Sequence, residues 1–160
     1  MKSYGLSVEE VSEYAKYLVL RRCEWQLREE QLYLLAQQHH KQFILRGRYE
    51  YAVTDSPLAL CDFYSPPGKF ASFSALINDL TDTFENINFY LTRDLVNGHF
   101  EEEGRMHDRQ AALRVDAQMR KYLAERRISY IEMPIDLLTP WRILDHLLPG
   151  VAPFPSFPSA

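Results

Sequence analysis

The 160 residues contain only two cysteines, Cys23 and Cys61, with no CxxC or CxxH spacing. Neither a zinc site nor a disulfide framework is indicated, and reduced thiols in a cytoplasm are the simplest expectation. No run of about 18 apolar residues occurs, and the opening MKSYGLSVEE lacks an apolar signal core, so neither a membrane span nor secretion is expected. Basic excess is missing as well. The chain sets 18 Lys and Arg against 22 Asp and Glu, a net charge of -4 without a basic stripe, which argues against a nucleic-acid surface. Acidic small-molecule ligands stay open through local arginines. What remains, 46% hydrophobic and 25% charged, is the composition of a globular protein long enough to bury a core in one domain.

Hydrophobic periodicity changes type along the chain. Glu13 to Arg22 carries good helix formers with a basic last turn, and Trp25 to Leu45 places Leu27, Leu34, Gln38 and Leu45 near one helix face, with Gly47 to close it. The spacing then predicts a strand at 51–54, a break at Pro66-Pro67-Gly68, a helix at 73–84 and a strand at 87–93. Ala112, Val115, Met119, Tyr122 and Leu123 recur at spacings of three and four, which predicts an amphipathic helix over 107–126. A strand at 129–133 and a helix at 139–148 follow, with Thr139 as N-cap and Pro140 in the first turn. Residues 149–160 form a Pro-rich tail. Strands alternating with helices imply an α/β fold whose mostly parallel sheet is covered on both faces. The aromatics Tyr14, Tyr17, Trp25 and Tyr33, at near-helical spacings, are expected in the core rather than as stacking platforms.

The order VEEVSEYAKYL, REEQLYLLAQQHHKQ, YAVTDSPLAL, INFYLTRD, a polar loop holding Gly104-Arg105, a long amphipathic helix and ISYIEM resembles the P-loop nucleoside and nucleotide kinase-like group of AAA-domain ATPases. That group includes phage and bacterial proteins similar to nicotinamide riboside kinases. The resemblance covers roughly residues 6–148 and rests on the order of the segments, no one of which is highly specific. It implies a three-layer P-loop kinase-like fold, 1–148 forming a single domain, with ATP and Mg²⁺ as cofactors and a nucleoside or nucleotide as substrate.

The chain departs from that family at its start. A phosphate loop needs G-x-x-x-x-G-K-[ST] so that backbone N–H groups can approach the phosphates. The six glycines, at 5, 47, 68, 98, 104 and 150, nowhere satisfy it, and Gly68-Lys69 is followed by Phe70 instead of a hydroxyl residue. The match begins as though the first βα unit, about 25 residues, were absent. In the family that unit supplies the central strand, flanked by the strand carrying the Asp and by the equivalent of NFYLTR. Its loss would leave a gap to be closed by direct pairing of 51–55 with 87–92, by a second copy of the chain or by a protein partner.

Asp55, at a strand end, is the candidate to hold Mg²⁺ through water or accept a hydroxyl proton; capping of the following turn is its structural alternative. Glu13 and Tyr14 resemble the family's substrate-side residues, although Glu13 also suits a helix first turn. Arg93, Arg105 and Arg109 flank a lid-like polar loop and could bind phosphate oxygens bidentately, with Arg105 serving the transferring group; a solvated charged face competes, given Glu101, Glu102 and Glu103 nearby. Gln31 and Gln38, seven apart on one helix face, could reach a base or ribose, or be surface residues. His39 and His40, about 100° apart on a helix, cannot share a metal ion unaided. Three readings follow: a kinase-like homologue that is not catalytic for want of the phosphate loop, a non-catalytic module binding a protein or nucleotide ligand, or part of an active kinase whose true start lies upstream.

Overall fold

In the computed structural model the described residues are 1–2, 5–92 and 109–150. They fall into two compact units, Met1–Asn86 and Ile87–Ala160. Where the sequence suggested one domain over 1–148, each unit carries its own small sheet. No helix among the described residues is long and apolar enough to cross a membrane.

Unit 1 begins with strand β1 (Val8–Glu10), followed by helices α1 (Tyr14–Leu20), α2 (Glu24–Glu29) and α3 (Gln31–Phe43), strand β2 (Tyr51–Val53), and helices α4 (Ala59–Phe63) and α5 (Phe73–Thr81). β1 and β2 are parallel, in the register Val8 to Tyr51 and Glu10 to Val53. The core joins four of the helices: Leu18 of α1, Leu34 and Leu35 of α3, Cys61 of α4, and Phe73 and Ile77 of α5, with Leu35 only 1% exposed. The α5 sequence explains its part, since Phe73, Ile77 and Leu80 recur on one face and the first two are buried.

The helix predicted across Trp25–Leu45 is divided. Glu30 leaves helical geometry at φ -120° and ψ 44°, so α2 ends and α3 starts beside it. No Gly or Pro marks this break. At the break, Lys69 reaches back from the 66–70 turn and donates to the Glu29 carbonyl at the end of α2.

Unit 2 contains strand β3 (Phe89–Thr92), helix α6 (Arg109–Glu125), strand β4 (Ile131–Pro134) and helix α7 (Thr139–Leu147). β3 and β4 pair in parallel from Phe89 and Ile131 to Thr92 and Pro134. As the periodicity predicts, α6 half-buries Val115, Met119, Tyr122 and Leu123. Thr139 is the first residue of α7 rather than its N-cap, which is Leu138. Its hydroxyl still organises the turn, accepting from the Asp136 N–H at 2.8 Å and donating to the Pro134 carbonyl at 2.6 Å. The tail beyond residue 150 lies outside the described residues.

One expectation is corrected. Among the described residues the strands near 51–54, 87–92 and 129–133 do not share one sheet; the fold there is mixed α/β with short parallel strands in two two-stranded sheets, β1 with β2 and β3 with β4. The 51–55 and 87–92 segments do not pair directly: β2 pairs with β1, a strand of three residues too short to recognise from alternation.

Two helices end in the same unusual way. After α1, Arg22 takes φ 57°, with hydrogen bonds from Cys23 N–H to the Leu18 carbonyl and from Arg22 N–H to the Val19 carbonyl. After α6, Arg127 takes φ 54°, with Ile128 N–H on Leu123 and Arg127 N–H on Ala124. Both are Schellman closures in which an arginine occupies the left-handed position normally given to glycine. Arg22→Gly and Arg127→Gly are each expected to stabilise the protein by about 0.5–1 kcal/mol, read as a higher urea midpoint at unchanged slope; a loss of stability in both would contradict this account.

Candidate functional site at the strand ends of unit 1

Parallel strands bring their carboxyl ends to the same side, and the loops leaving those ends are where α/β proteins hold ligands. Beyond β1 the ladder continues for one hydrogen bond, from Val11 N–H to the Val53 carbonyl at 2.8 Å. The chain then turns through Ser12 and Glu13 into α1, while β2 runs on through Thr54 to Asp55. The two loops therefore leave side by side, each carrying a carboxylate.

A buried amide fixes their separation. Gln38 of α3, 2% exposed, accepts a hydrogen bond from the Tyr14 N–H at 3.2 Å and donates from Nε2 to Thr54 Oγ1 at 3.3 Å. Thr54 Oγ1 also accepts from the Ser56 N–H at 3.0 Å, which shapes the turn around Asp55. A second tie comes from Lys41, whose ammonium donates to the Ser12 carbonyl at 2.9 Å and to its hydroxyl at 3.0 Å while lying over the Tyr14 ring. The segment 12–14 is thus held from one helix at two points.

This places Glu13 and Asp55 close enough to feel one another. Glu13 is half-buried, and burial first, then the negative charge of Asp55, push its carboxyl above the usual carboxylate range, with Lys16 pulling weakly the other way. Tyr64 feels the same field: burial and the Glu13 charge raise its phenol. Asp55 itself is exposed. Two carboxyl groups side by side, one half-buried and one open, offer several oxygens to accept hydrogen bonds from a ligand's hydroxyl groups.

Around this pair stands an aromatic group. Tyr14 and Tyr17 lie 5.6 Å apart and Tyr14 meets Tyr33 edge-on at 5.8 Å. The Tyr14 hydroxyl donates to that of Tyr33, which raises its own phenol to about 12. The expectation that these rings and Trp25 form core is corrected for three of them: Tyr17, Trp25 and Tyr33 are exposed, while Tyr14 is half-buried and packs against the core beside Leu18 and Ala15.

The two glutamines expected to reach a base or ribose lie inside instead. Gln38 is occupied as described, and Gln31, 4% exposed, donates to the Leu27 carbonyl across the α2 to α3 break. Both are part of the scaffold because a buried amide must find partners. Arg93 and Arg105 lie outside the described residues; Arg109 stands in the first turn of α6, its side chain also outside them. Among the described residues no three His, Cys, Asp or Glu side chains gather as a metal cluster, the His39-His40 pair included. Lys41, Thr54 and Tyr64 were missed by sequence reasoning, since nothing local connects Lys41 to Ser12 across 29 positions. Comparisons with protein-family models, with curated proteins and with solved structures find no match for this chain.

Two outcomes follow. Gln38→Ala strands the Tyr14 N–H and the Thr54 hydroxyl and is expected to cost about 2 kcal/mol in chemical denaturation; a cost near zero would show that the bridge is not needed. Because the folded Glu13 carboxyl binds its proton more tightly than the unfolded one, its ionisation opposes folding: its contribution is favourable at low pH and is lost as pH rises through the raised value. Glu13→Gln is therefore expected to raise stability at neutral pH, by less than about 1 kcal/mol since solvent screens a half-exposed pair, and to have no such benefit near pH 4.

Proposed function

We propose that the protein is a homologue of the P-loop nucleoside and nucleotide kinases, with the three-layer fold of that group, and that unit 1 forms its nucleoside-binding side. The observation that carries this reading is the Glu13 and Asp55 pair at the carboxyl ends of two adjacent parallel strands, with the Glu13 carboxyl raised in part by Asp55. Carboxylates so placed suit vicinal ribose hydroxyls, which donate hydrogen bonds in pairs. The half-buried Tyr14 ring and the exposed Tyr33 ring beside Glu13 offer a face on which a base can stack.

The cofactors of such a kinase fit unequally. Mg²⁺ needs only one or two carboxylates from the protein, its remaining positions being filled by water and phosphate, so Asp55 with Glu13 beside it would hold the ion in a Mg²⁺-nucleotide complex. ATP itself does not fit these 160 residues, which contain no G-x-x-x-x-G-K-[ST], and no phosphoryl-transfer step is assigned to them. The function of the chain as it stands is ligand binding, in a cytoplasm.

Calorimetry separates the two halves of this reading. Mg²⁺-ATP is expected to bind no more tightly than roughly millimolar, about 4 kcal/mol; micromolar binding would overturn the assignment. Among adenosine, uridine, nicotinamide riboside and their 2′-deoxy forms, at least one ribonucleoside is expected to bind better than its deoxy counterpart, and Asp55→Asn to weaken it about tenfold or more, the scale of one charged hydrogen bond. Equal binding of ribo and deoxy forms, or indifference to Asp55→Asn, would sink the nucleoside reading.

A further inference from the structure

The corner between α1 and α2 sorts its residues by side. Leu18, Cys23 and Leu27 turn inward to the core of unit 1. Leu20, Arg21, Arg22, Trp25 and Arg28 turn outward, with Leu20 76% and Trp25 52% exposed. The backbone is held here, since Cys23 N–H donates to the Leu18 carbonyl at 2.9 Å and Gln26 N–H to the Cys23 carbonyl at 3.0 Å. A leucine and a tryptophan are thus presented to solvent from a fixed turn.

The charge around them is mostly of one sign. From Leu20 to Arg28 three arginines face one acid, Glu24, in a chain whose acids outnumber its bases. Glu29, the next residue, is engaged by Lys69 at 3.4 Å. Among the described residues none of the three arginines joins an ion pair. The Arg21 guanidinium rests instead on a neutral group, donating to the Tyr17 hydroxyl at 2.7 Å. Cations at a helix C-terminus also complement its dipole, but that role asks for no exposed leucine or tryptophan beside them.

Shape and chemistry decide between partners. Neither the cavity of about 410 Å³ on α3 and α5 nor the one of about 570 Å³ at the strand ends includes a residue of this corner, so a partner must receive it rather than enter it. A single-stranded nucleic acid would use the indole and the arginines and leave Leu20 in water. An anionic bilayer uses them all: its phosphates meet the arginines, the indole suits the interfacial layer, and the leucine reaches the acyl boundary. The net charge of -4 does not forbid the approach, because charges more than about 8 Å away are largely screened at physiological salt.

We infer that the corner between α1 and α2 docks on the surface of a bilayer carrying anionic lipid, with Leu20 and Trp25 entering the interface and Arg21, Arg22 and Arg28 holding headgroup phosphates. The contact is adsorption and needs no helix long enough to cross. It is independent of nucleoside binding, since α1, seven residues and about 10 Å long, separates the corner from Glu13 at its other end.

Flotation of the full chain with vesicles tests this, using phosphatidylcholine alone and phosphatidylcholine with about one-third phosphatidylserine. Binding is expected to the anionic vesicles only, with a blue shift of tryptophan emission that Trp25→Phe abolishes. Arg22→Gly, expected above to be the more stable chain, should weaken binding about fivefold, the effect of one cation near such a surface. Arg21→Gln should do the same, so the result does not rest on the left-handed position. Leu20→Ser should weaken binding several-fold with the circular dichroism spectrum unchanged. Failure to float at millimolar lipid would overturn the proposal, as would equal binding to both vesicle types, or binding that Arg22→Gly, Arg21→Gln and Leu20→Ser all leave unchanged. Tighter binding to a single-stranded RNA or to polyglutamate, indifferent to Leu20→Ser, would assign the arginines to a soluble polyanion and overturn it too. So would release from the vesicles by millimolar inorganic phosphate at constant ionic strength.

Discussion

The candidate site depends on one buried side chain. Gln38 joins the turn that follows β1 to the turn that follows β2 through a single amide, accepting from one and donating to the other. A hydrocarbon at this position would leave a buried backbone N–H unsatisfied; a charged group would be desolvated at greater cost. Glutamine has both a donor and an acceptor on a side chain long enough to span from α3. Because α3 also contributes Leu34 and Leu35 to the core, the amide is as fixed as the core itself. The carboxylates of Glu13 and Asp55 are therefore placed by hydrophobic packing at one remove.

Elements with a long, repeated pattern were legible in the sequence, and those that arise from distant contacts were not. The 107–126 periodicity corresponds to α6 at Arg109–Glu125 within two residues at either end, because a four- to five-turn amphipathic pattern has few competing interpretations. Asp55 was legible as a residue at the end of a short extended segment, and Glu13 only through the family resemblance and as an acid in a helix first turn. Their proximity was not, since it follows from the pairing of β1 with β2, two strands of three residues each. The division of the 25–45 helix escaped as well, since neither glycine nor proline marks it and the Lys69 that meets its end lies 40 positions from the carbonyl it contacts. The tyrosines misled because aromatic residues at helical spacing suit either a core or an exposed cluster, and Leu18 had already taken the buried face.

A sheet of only two parallel strands buries little and needs support from outside its ladder. In unit 1 that support is the helical core on Leu35 and Ile77. In unit 2 a cation ties the ladder to its helix. Arg120 of α6 makes a two-pronged contact with Glu132 of β4 at 3.0 and 2.9 Å, and its guanidinium lies 4.6 Å from the centre of the Tyr90 ring on β3. Tyr90 in turn hydrogen-bonds Asp116, one turn back along α6. One arginine thus engages both strands and the helix that crosses between them.

That arrangement gives acid a different meaning in each unit. The guanidinium of Arg120 holds the Glu132 carboxyl below its ordinary range, and Arg142 does the same for Asp136. Their stabilising effect is present above the usual carboxylate range and fades as acid reaches them, whereas the Glu13 carboxyl in unit 1 is relieved by the same protons. Mild acidification therefore eases the Glu13 and Asp55 pair first, and only stronger acid, below the usual carboxylate range, loosens the arginine clamp. The two small folds on one polypeptide answer to protons in sequence, one settling before the other gives way.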